Sequence, residues 1–437
     1  MYSYKKDTIA MIELIEEAEA KIDTVVFVEL DEEYKKMNVF TKEDLIRFQA
    51  ESLDEKFQRT LAKVGEWYSR WDNEVYVSFS GGKDSTVLAD ICARWCKVIR
   101  KPLYLVFVNT GLEYPEIQKH VKFFAEWLRH KYGIEVVLEI LRPKMRFDEV
   151  IKTYGYPIIS KSVSNCVRGA RNGSKSRINL LNGKDCDGSD RKSKFSKLKY
   201  KPLLDVNFKI SEQCCDVMKK APSYEYQKKT GRKPILATMA VESMLRESAW
   251  LKNGCNAFDS KKPQSAPMSF WTEQDILQYI KQAQDEYDRE YKRKIESLSK
   301  PWCHGVKRRK IRKWILKEYE FSSRFPLASV YGDIVYTEQP DQMRIEDYGL
   351  DGCGTEKLTT TGCDRTGCIF CAFGCHLEKS PSRFERLKET HPRQYEYCIG
   401  GGEYDDNGKW QPNKEGLGMG HVFDELNTIY GDGFIKY

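Results

Sequence analysis

The 437-residue sequence predicts an α/β fold, a doubly wound parallel sheet, and three observations carry that expectation. Val75–Phe79 (VYVSF) is β-branched or aromatic and stops at Ser80-Gly81-Gly82, after which Val87, Leu88 and Ile91 recur at helical spacing. Leu103–Val108 (LYLVFV) is a second strand-like run. Pro115–Tyr132 then reads as helix and Val136–Ile140 as a third strand. Strands alternating with helices imply parallel pairing, and ligands of such sheets sit at the carboxyl ends of the strands, where Ser80 and Asn109 both fall.

The remaining elements frame that domain. Asp7–Ile22 and Lys42–Trp71 have helical apolar spacing and few breakers, so residues 1–72 are expected to form an N-terminal helical segment. The α/β domain is placed at 73–280, with a basic insertion at 168–201. A charged helical insertion follows at 281–330. From about Tyr331 glycine and cysteine rise sharply, so 331–437 reads as a cysteine-rich, metal-organised C-terminal region. No internal repeat is visible.

The turn at Ser80-Gly81-Gly82-Lys83-Asp84-Ser85 points to anion binding. Two glycines let the backbone bend sharply and approach a ligand, and the helix that follows offers unpaired N–H groups at its start. Lys83 adds charge; Ser80 and Ser85 add hydroxyls. It is not a Walker A loop, because Val77 stands where that pattern needs its first glycine and Asp84-Ser85 follows the lysine. The simpler alternative is an ordinary strand-to-helix turn with a serine cap.

Net charge is +7, but its distribution is uneven. Arg168–Lys201 holds eleven basic residues against three acidic ones and is rich in Gly, Ser and Asn, so it reads as a long flexible loop. A second cluster, Lys307–Lys313, follows the helix-like stretch Asp285–Lys300. Both suit solvated loops or a polyanion; the excess is more than a small nucleotide needs, which favours DNA or RNA. Apolar runs are too short for a membrane span, and MYSYKKDTIAMIELIEE has no signal-peptide core, so no membrane partner and a cytoplasmic location are expected. Fourteen cysteines without a secretion signal favour thiol, metal or redox chemistry over disulfides.

Cys363, Cys368, Cys371 and Cys375 follow a C-x4-C-x2-C-x3-C spacing that lets one loop wrap several thiolates round a centre. Zinc would accept all four, or three with His376; iron–sulfur ligation fits the spacing equally. Cys92 and Cys96, at i and i+4 on the helix after the glycine turn, are expected to pack as plain thiols, as is Cys186.

Four segments carry a family resemblance. Ser80–Ser85 resembles the SGGxDS pyrophosphate loop of the adenine-nucleotide α-hydrolase superfamily, which includes ATP pyrophosphatases and the phosphoadenosine phosphosulfate (PAPS) reductase family. Asn109–Glu116 (NTGLEYPE) is similar to the DTGxxFPET loop of PAPS reductases, with Asn109 for the usual Asp. Ala240–Arg246 (AVESMLR) is similar to their RxxES..R segment, with Ala240 where an arginine is common, and Ser269–Ile276 (SFWTEQDI) to their P-x-W-T-x-x-D segment. The order is that of the family, and the two departures bear on nucleotide specificity.

The resemblance implies an adenine-nucleotide α-hydrolase-like fold that binds ATP, PAPS or adenylylsulfate, with Mg2+, through Ser80, Gly81, Gly82, Lys83, Asp84, Ser85 and Thr86 and through Asn109, Thr110 and Gly111. Lys83, Asp84 and Arg246 are its implied catalytic residues. Asp84 fits either metal or hydroxyl orientation or a helix-start carboxylate, and Glu242 is an alternative partner for Arg246. Cys214-Cys215-Asp216-Val217-Met218-Lys219-Lys220-Ala221-Pro222 resembles the CCxxRKxxP segment of adenylylsulfate reductases, which implies a [4Fe-4S] cluster on Cys214, Cys215, Cys368 and Cys371, with Cys363 and Cys375 surplus or substituting; zinc is the second choice.

Two activities follow from the resemblance. A reductase would attack the substrate sulfur with a cysteine from a Glu-Cys-Gly-Leu-His tail and release sulfite, but no cysteine follows Cys398, and Cys375 lies inside the cysteine motif. An ATP pyrophosphatase would adenylate an acceptor for sulfur transfer, as iron–sulfur members acting in DNA phosphorothioation and tRNA thiolation do, with a sulfur donor such as a cysteine desulfurase as partner. The second is the expectation. A catalytically silent, nucleotide-sensing regulator is a third reading, kept open by Asn109 and Ala240.

Overall fold

A computed structural model describes residues 40–185, 188–190, 196–298, 331–337, 357–363 and 366–437. The expected helix over Asp7–Ile22, the Lys307–Lys313 cluster, Cys186 and the loop cations Arg191, Lys192 and Lys194 lie outside the described residues. The chain divides into two units, one drawn from Met1–Phe107, Pro115–Ile140 and Tyr226–Thr366, the other from Val108–Tyr114, Leu141–Glu225 and Gly367–Tyr437.

The first unit is built on a six-stranded, mostly parallel sheet. Strands β1 (Val75–Ser78), β2 (Leu103–Val108) and β3 (Val136–Leu141) fall where the β-forming runs predict them, within a residue. The spatial order is β3, β2, β1, Lys233–Ile235, Gln264–Ser265, Asn256–Ala257. Val77 pairs with Leu105 on one side of β1 and with Ile235 on the other. Chain order therefore reverses direction at β1, and the turn after β1 lies at the switch point where ligands of doubly wound sheets bind. The final pair, Asn256–Ala257 with Gln264–Ser265, is antiparallel and closes one edge.

The helix Lys83–Ile99 is buried on nearly every face, with Val87, Leu88, Ile91, Cys92, Trp95 and Cys96 inside, so the two cysteines do pack as expected. Lys42–Trp71, expected as a continuous helical stretch, is two helices, Lys42–Gln49 and Leu53–Arg70. Each opens on its own capping box, Thr41 with Asp44 and Ser52 with Glu55, and it is the second box that restarts the helix. Lys56 then reaches Asp275 at 2.8 Å, a buried ion pair that fastens this helix to Glu273–Leu298.

The second unit packs the helices Phe147–Tyr154, Lys161–Arg171, Arg383–Thr390, Pro392–Ile399 and Met419–Tyr430 round a core that includes Val150, Ile158, Phe208, Phe384, Phe423 and Leu426. A short parallel pair joins Ile158–Ile159 to Ala372–Phe373 and so links the cysteine segment to this core. The stretch Arg168–Lys201, expected as a flexible loop, instead contains the end of one helix, a second at Lys175–Leu181 and the start of a 3-10 turn at Leu198–Leu204. Its cations are the reason: Arg168 pairs with Glu212 at 2.6 Å, and the Arg171 guanidinium donates to the carbonyls of Leu203, Val206 and Phe208. Two of the eleven basic residues are thus engaged within the fold, Arg168 by a carboxylate and Arg171 by backbone carbonyls.

Candidate phosphate-binding turn and cysteine constellation

The turn is shaped by its glycines. Gly81 has φ +76°, and a Cβ there would lie 2.8 Å from the methyl groups of Ile117 and Val121, so only glycine fits both the angle and the helix Pro115–Tyr132 behind it. Gly82 is the N-cap of Lys83–Ile99, in extended conformation, with no side chain of its own to cap the helix. The hydroxyls of Ser85 and Thr86 donate to the Gly82 carbonyl at 3.0 and 2.9 Å, and Ser80 and Ser85 hydroxyls are 3.0 Å apart. These bonds fix the loop from within. Ser80 is exposed, whereas Ser85 and Thr86 are buried.

Lys83 is placed differently from what its position in the loop suggests. Its side chain is buried, with Nζ 3.1 Å from a Glu273 carboxylate oxygen, 3.9 Å from Asp84 and 5.6 Å from the centre of the Tyr331 ring. Asp84 occupies the first turn of the helix, where a carboxylate favours the dipole. Above the turn, the Lys83 amide donates to the Tyr331 hydroxyl at 3.1 Å, which in turn is 2.9 Å from Thr366 Oγ1. Burial pushes the Tyr331 phenol up to about 12, so it is a neutral hydroxyl at ordinary pH. Glu273, Tyr331 and Thr366 escaped sequence reasoning. Glu273 lies within Ser269–Ile276 but its partner is 190 residues away, and the two hydroxyls lie far along the chain.

The other family-like segments of this unit make contacts within the fold. Trp271 Nε1 donates to Thr60 Oγ1 at 2.8 Å, and Asp275 caps Thr272 while binding Lys56. Arg246 is ion-paired with Glu242, four residues earlier, and Ser243 caps the helix that carries it.

In the second unit, the turn after β2 is organised by Glu113, buried at the end of Asn109-Thr110-Gly111-Leu112. It accepts from the Thr110 amide at 3.0 Å and the Thr110 hydroxyl at 2.8 Å, and Asn109 Oδ1 accepts from the Gly111 amide at 3.0 Å. These bonds fix the turn from within.

Cys214, Cys215, Cys368 and Cys371 are brought within electrostatic reach of one another by two short segments of this unit. The Cys214 thiol donates to Cys215 Sγ at 4.0 Å, which raises Cys214 and, with Lys161 and Lys219 nearby, holds Cys215 down to about 5 despite burial. Burial pushes Cys368 up to about 11, against the pull of Lys219. Lys219 itself is kept charged by Cys368 and Glu113, which together outweigh its burial. Four convergent thiols with a fixed cation are a donor set suited to an all-thiolate centre. Among the described residues, however, no group of three or more His, Cys, Asp or Glu side chains forms a ready cage for a metal ion; the thiols are neighbours, not yet a closed shell.

Of the other two candidates, Cys375 is itself within electrostatic reach of Cys371. Cys375 is buried, with its thiol donating to the Ala372 carbonyl at 3.0 Å. Cys363 belongs to the first unit, where its carbonyl accepts from Thr360 Oγ1 at 3.2 Å. Lys161 and Lys219 are the residues sequence reasoning left without a role, although Lys219 lay in the quoted cysteine-pair segment. Among the described residues no helix is long and apolar enough to cross a membrane.

Residues 74–166 match the family model of the phosphoadenosine phosphosulfate reductase domain. Two uncharacterized proteins of Methanocaldococcus jannaschii are similar to this chain: one is 29% identical over 136 residues, 30% of this chain, and the other 33% identical over 118 residues, 26% of this chain. The match spans 26% of the length of each relative.

Proposed function

Because this chain carries, at residues 74–166, a nucleotide-binding domain of the phosphoadenosine phosphosulfate reductase family, we propose that it is an ATP pyrophosphatase that adenylates an acceptor for sulfur transfer. The observation that carries the reading is the turn: a positive-φ glycine, a helix N-terminus whose N-cap glycine brings no side chain of its own, and a buried lysine at the switch point of the sheet. In this reading, amides at Gly82–Asp84 would hold the β- and γ-phosphates as an acceptor oxygen attacks the α-phosphorus; the α–β bond breaks and pyrophosphate carries away the electron pair. Lys83, held by Glu273, would set its side chain beside the departing group. Mg2+, when bound, would screen the same oxygens, with Asp84 the nearest carboxylate of the turn to hold it.

Cys214, Cys215, Cys368 and Cys371 are the proposed holders of a [4Fe-4S] cluster, whose chemistry would be redox or sulfur handling. Nucleic acid is the proposed acceptor, on the strength of the exposed Lys199 and Lys201 at the end of the basic stretch. The reductase alternative needs a mobile thiol, and every described cysteine is buried or half-buried. The test is to incubate anaerobically prepared protein with ATP, adenylylsulfate or PAPS and to follow pyrophosphate and sulfite separately. Pyrophosphate from ATP is the expected product; sulfite from either sulfated nucleotide would replace this reading with the reductase.

A further inference from the structure

The segment that lies over the turn makes contacts the proposed reaction does not use. The Lys83 amide opens the helix at the end assigned to phosphate, and the Tyr331 hydroxyl takes it at 3.1 Å. Thr366 Oγ1 is 2.9 Å from that hydroxyl and would lie 3.1 Å from a Cβ placed on Gly82. Two neutral hydroxyls therefore stand against the two residues whose backbone would receive phosphate oxygens.

Both hydroxyls belong to one arm. Its strands Ile334–Thr337 and Lys357–Thr360 pair antiparallel, from Ile334 opposite Thr360 to Thr337 opposite Lys357. The Gly362 amide donates to the Tyr331 carbonyl at 2.8 Å and so holds the two ends of the arm together. Gln274, at the start of the helix Glu273–Leu298, fastens the arm by pairing in both directions with the Leu358 backbone, at 2.9 Å each. Among the described residues the arm meets the turn through these hydroxyls and the Tyr331 ring, and its supporting helix through Gln274 and through Lys281, whose ammonium lies 5.8 Å from the centre of the Tyr336 ring.

We propose that Tyr331 and Thr366 form a displaceable plug over the phosphate-binding turn, so that a phosphorylated ligand enters by taking the Lys83 amide from the Tyr331 hydroxyl. A charged phosphate oxygen is a stronger acceptor than a phenol, and hydrogen bonds to ionised groups are roughly twice as strong as neutral ones. Anionic phosphates displace the plug; water and neutral molecules do not. The inference rests on the reading of the turn as a phosphate site, and it adds that affinity there is set by competition with the protein's own hydroxyls.

Calorimetric titration with inorganic pyrophosphate tests it, on the full chain and on Tyr331→Phe and Thr366→Val. Each substitution keeps the side chain's bulk and removes one hydroxyl. Each variant is expected to bind pyrophosphate roughly three- to ten-fold more tightly than the wild type, the scale of one net hydrogen bond removed from the competing state, with the wild-type unfolding temperature. Tightening in one variant alone supports the plug when the other unfolds early. If the wild type binds and both folded variants bind equally or more weakly, the plug is overturned while the phosphate site stands. If neither wild type nor variants bind, the phosphate site itself fails, and the plug with it. Binding that appears only in the variants supports the plug most strongly.

Discussion

Replacing Asp90 by Asn tests how the helix that begins at the phosphate-binding turn is held in place. The carboxylate lies two turns into that helix and is wholly buried. It accepts from the hydroxyls of Tyr279 at 2.6 Å and Tyr132 at 2.7 Å, with Lys131 at 3.3 Å and Arg94 at 3.4 Å. One group thus binds three helices, Lys83–Ile99, Pro115–Tyr132 and Glu273–Leu298. Burial pushes its pKa up, yet Lys131, Arg94 and the two phenols outweigh that and hold it at about 2, against 3.8 for an ordinary carboxyl. That difference corresponds to about 2 kcal/mol in favour of the ionised folded form. Asn preserves the shape but removes the anion between two cations, leaving them Glu286 as the remaining acidic neighbour, and removing one partner of a buried pair costs about 3–5 kcal/mol. Because the Arg94 and Lys131 side chains retain 28% and 20% exposure, the lower end, about 3 kcal/mol, is expected. Urea unfolding followed by the fluorescence of buried Trp95 and Trp127 measures it. The Asp90 contribution is complete above the ordinary carboxyl pKa and is lost as pH falls towards 2, so the wild type should lose stability across that window more steeply than the variant. An Asp90→Asn protein within about 0.5 kcal/mol of the wild type, with the same acid limb, refutes this account of the helix.

Gly81→Ala combines a positive φ with a Cβ 2.8 Å from two methyl groups, so it should destabilise the first unit by about 2–4 kcal/mol; Gly81→Ala with Val121→Ala should recover part of that, and no recovery would place the whole effect in the backbone angle. Anaerobically prepared protein should be brown and contain iron and acid-labile sulfide, and Cys215→Ser, Cys368→Ser or Cys371→Ser should bleach it while Cys92→Ser does not; colourless protein with stoichiometric zinc would contradict the cluster. Replacing Lys197, Lys199 and Lys201 by Gln should weaken binding to DNA or RNA and flatten its dependence on salt, since each lost phosphate contact reduces counterion release; wild-type binding that ignores salt would assign these lysines to solvent.

The parts of the fold legible in the sequence are those fixed by local pattern. Val75–Ser78, Leu103–Val108 and Pro115–Tyr132 announce themselves because buried strands and amphipathic helices each have their own period, and Gly81 is readable because only glycine serves a sharp turn against a helix. The misreading of Arg168–Lys201 has a physical cause. Charge and small residues suggest solvent, but Arg171 uses its fork to gather three carbonyls that are neighbours only in the folded chain. At the turn, Lys83 was read from its charge, whereas its burial depends on Glu273, 190 residues on, and the cover over the amide on Tyr331 and Thr366. Such pairings follow from topology and leave no periodic trace. The thiols divide along the same line: the C-x2-C of Cys368 and Cys371 is a local signal, while its meeting with Cys214 and Cys215 was carried by resemblance and is matched by their electrostatic proximity.

If the turn from β1 to the helix Lys83–Ile99 holds the β- and γ-phosphates of ATP, phosphorus NMR of ATP titrated with the protein will report it. The β and γ resonances should broaden and shift far more than the α resonance, and the effect should be lost in Gly82→Val, whose side chain would meet Thr366 and fill the space over the turn. Resonances that stay unperturbed at saturating wild-type protein, or that respond equally in Gly82→Val, would contradict it.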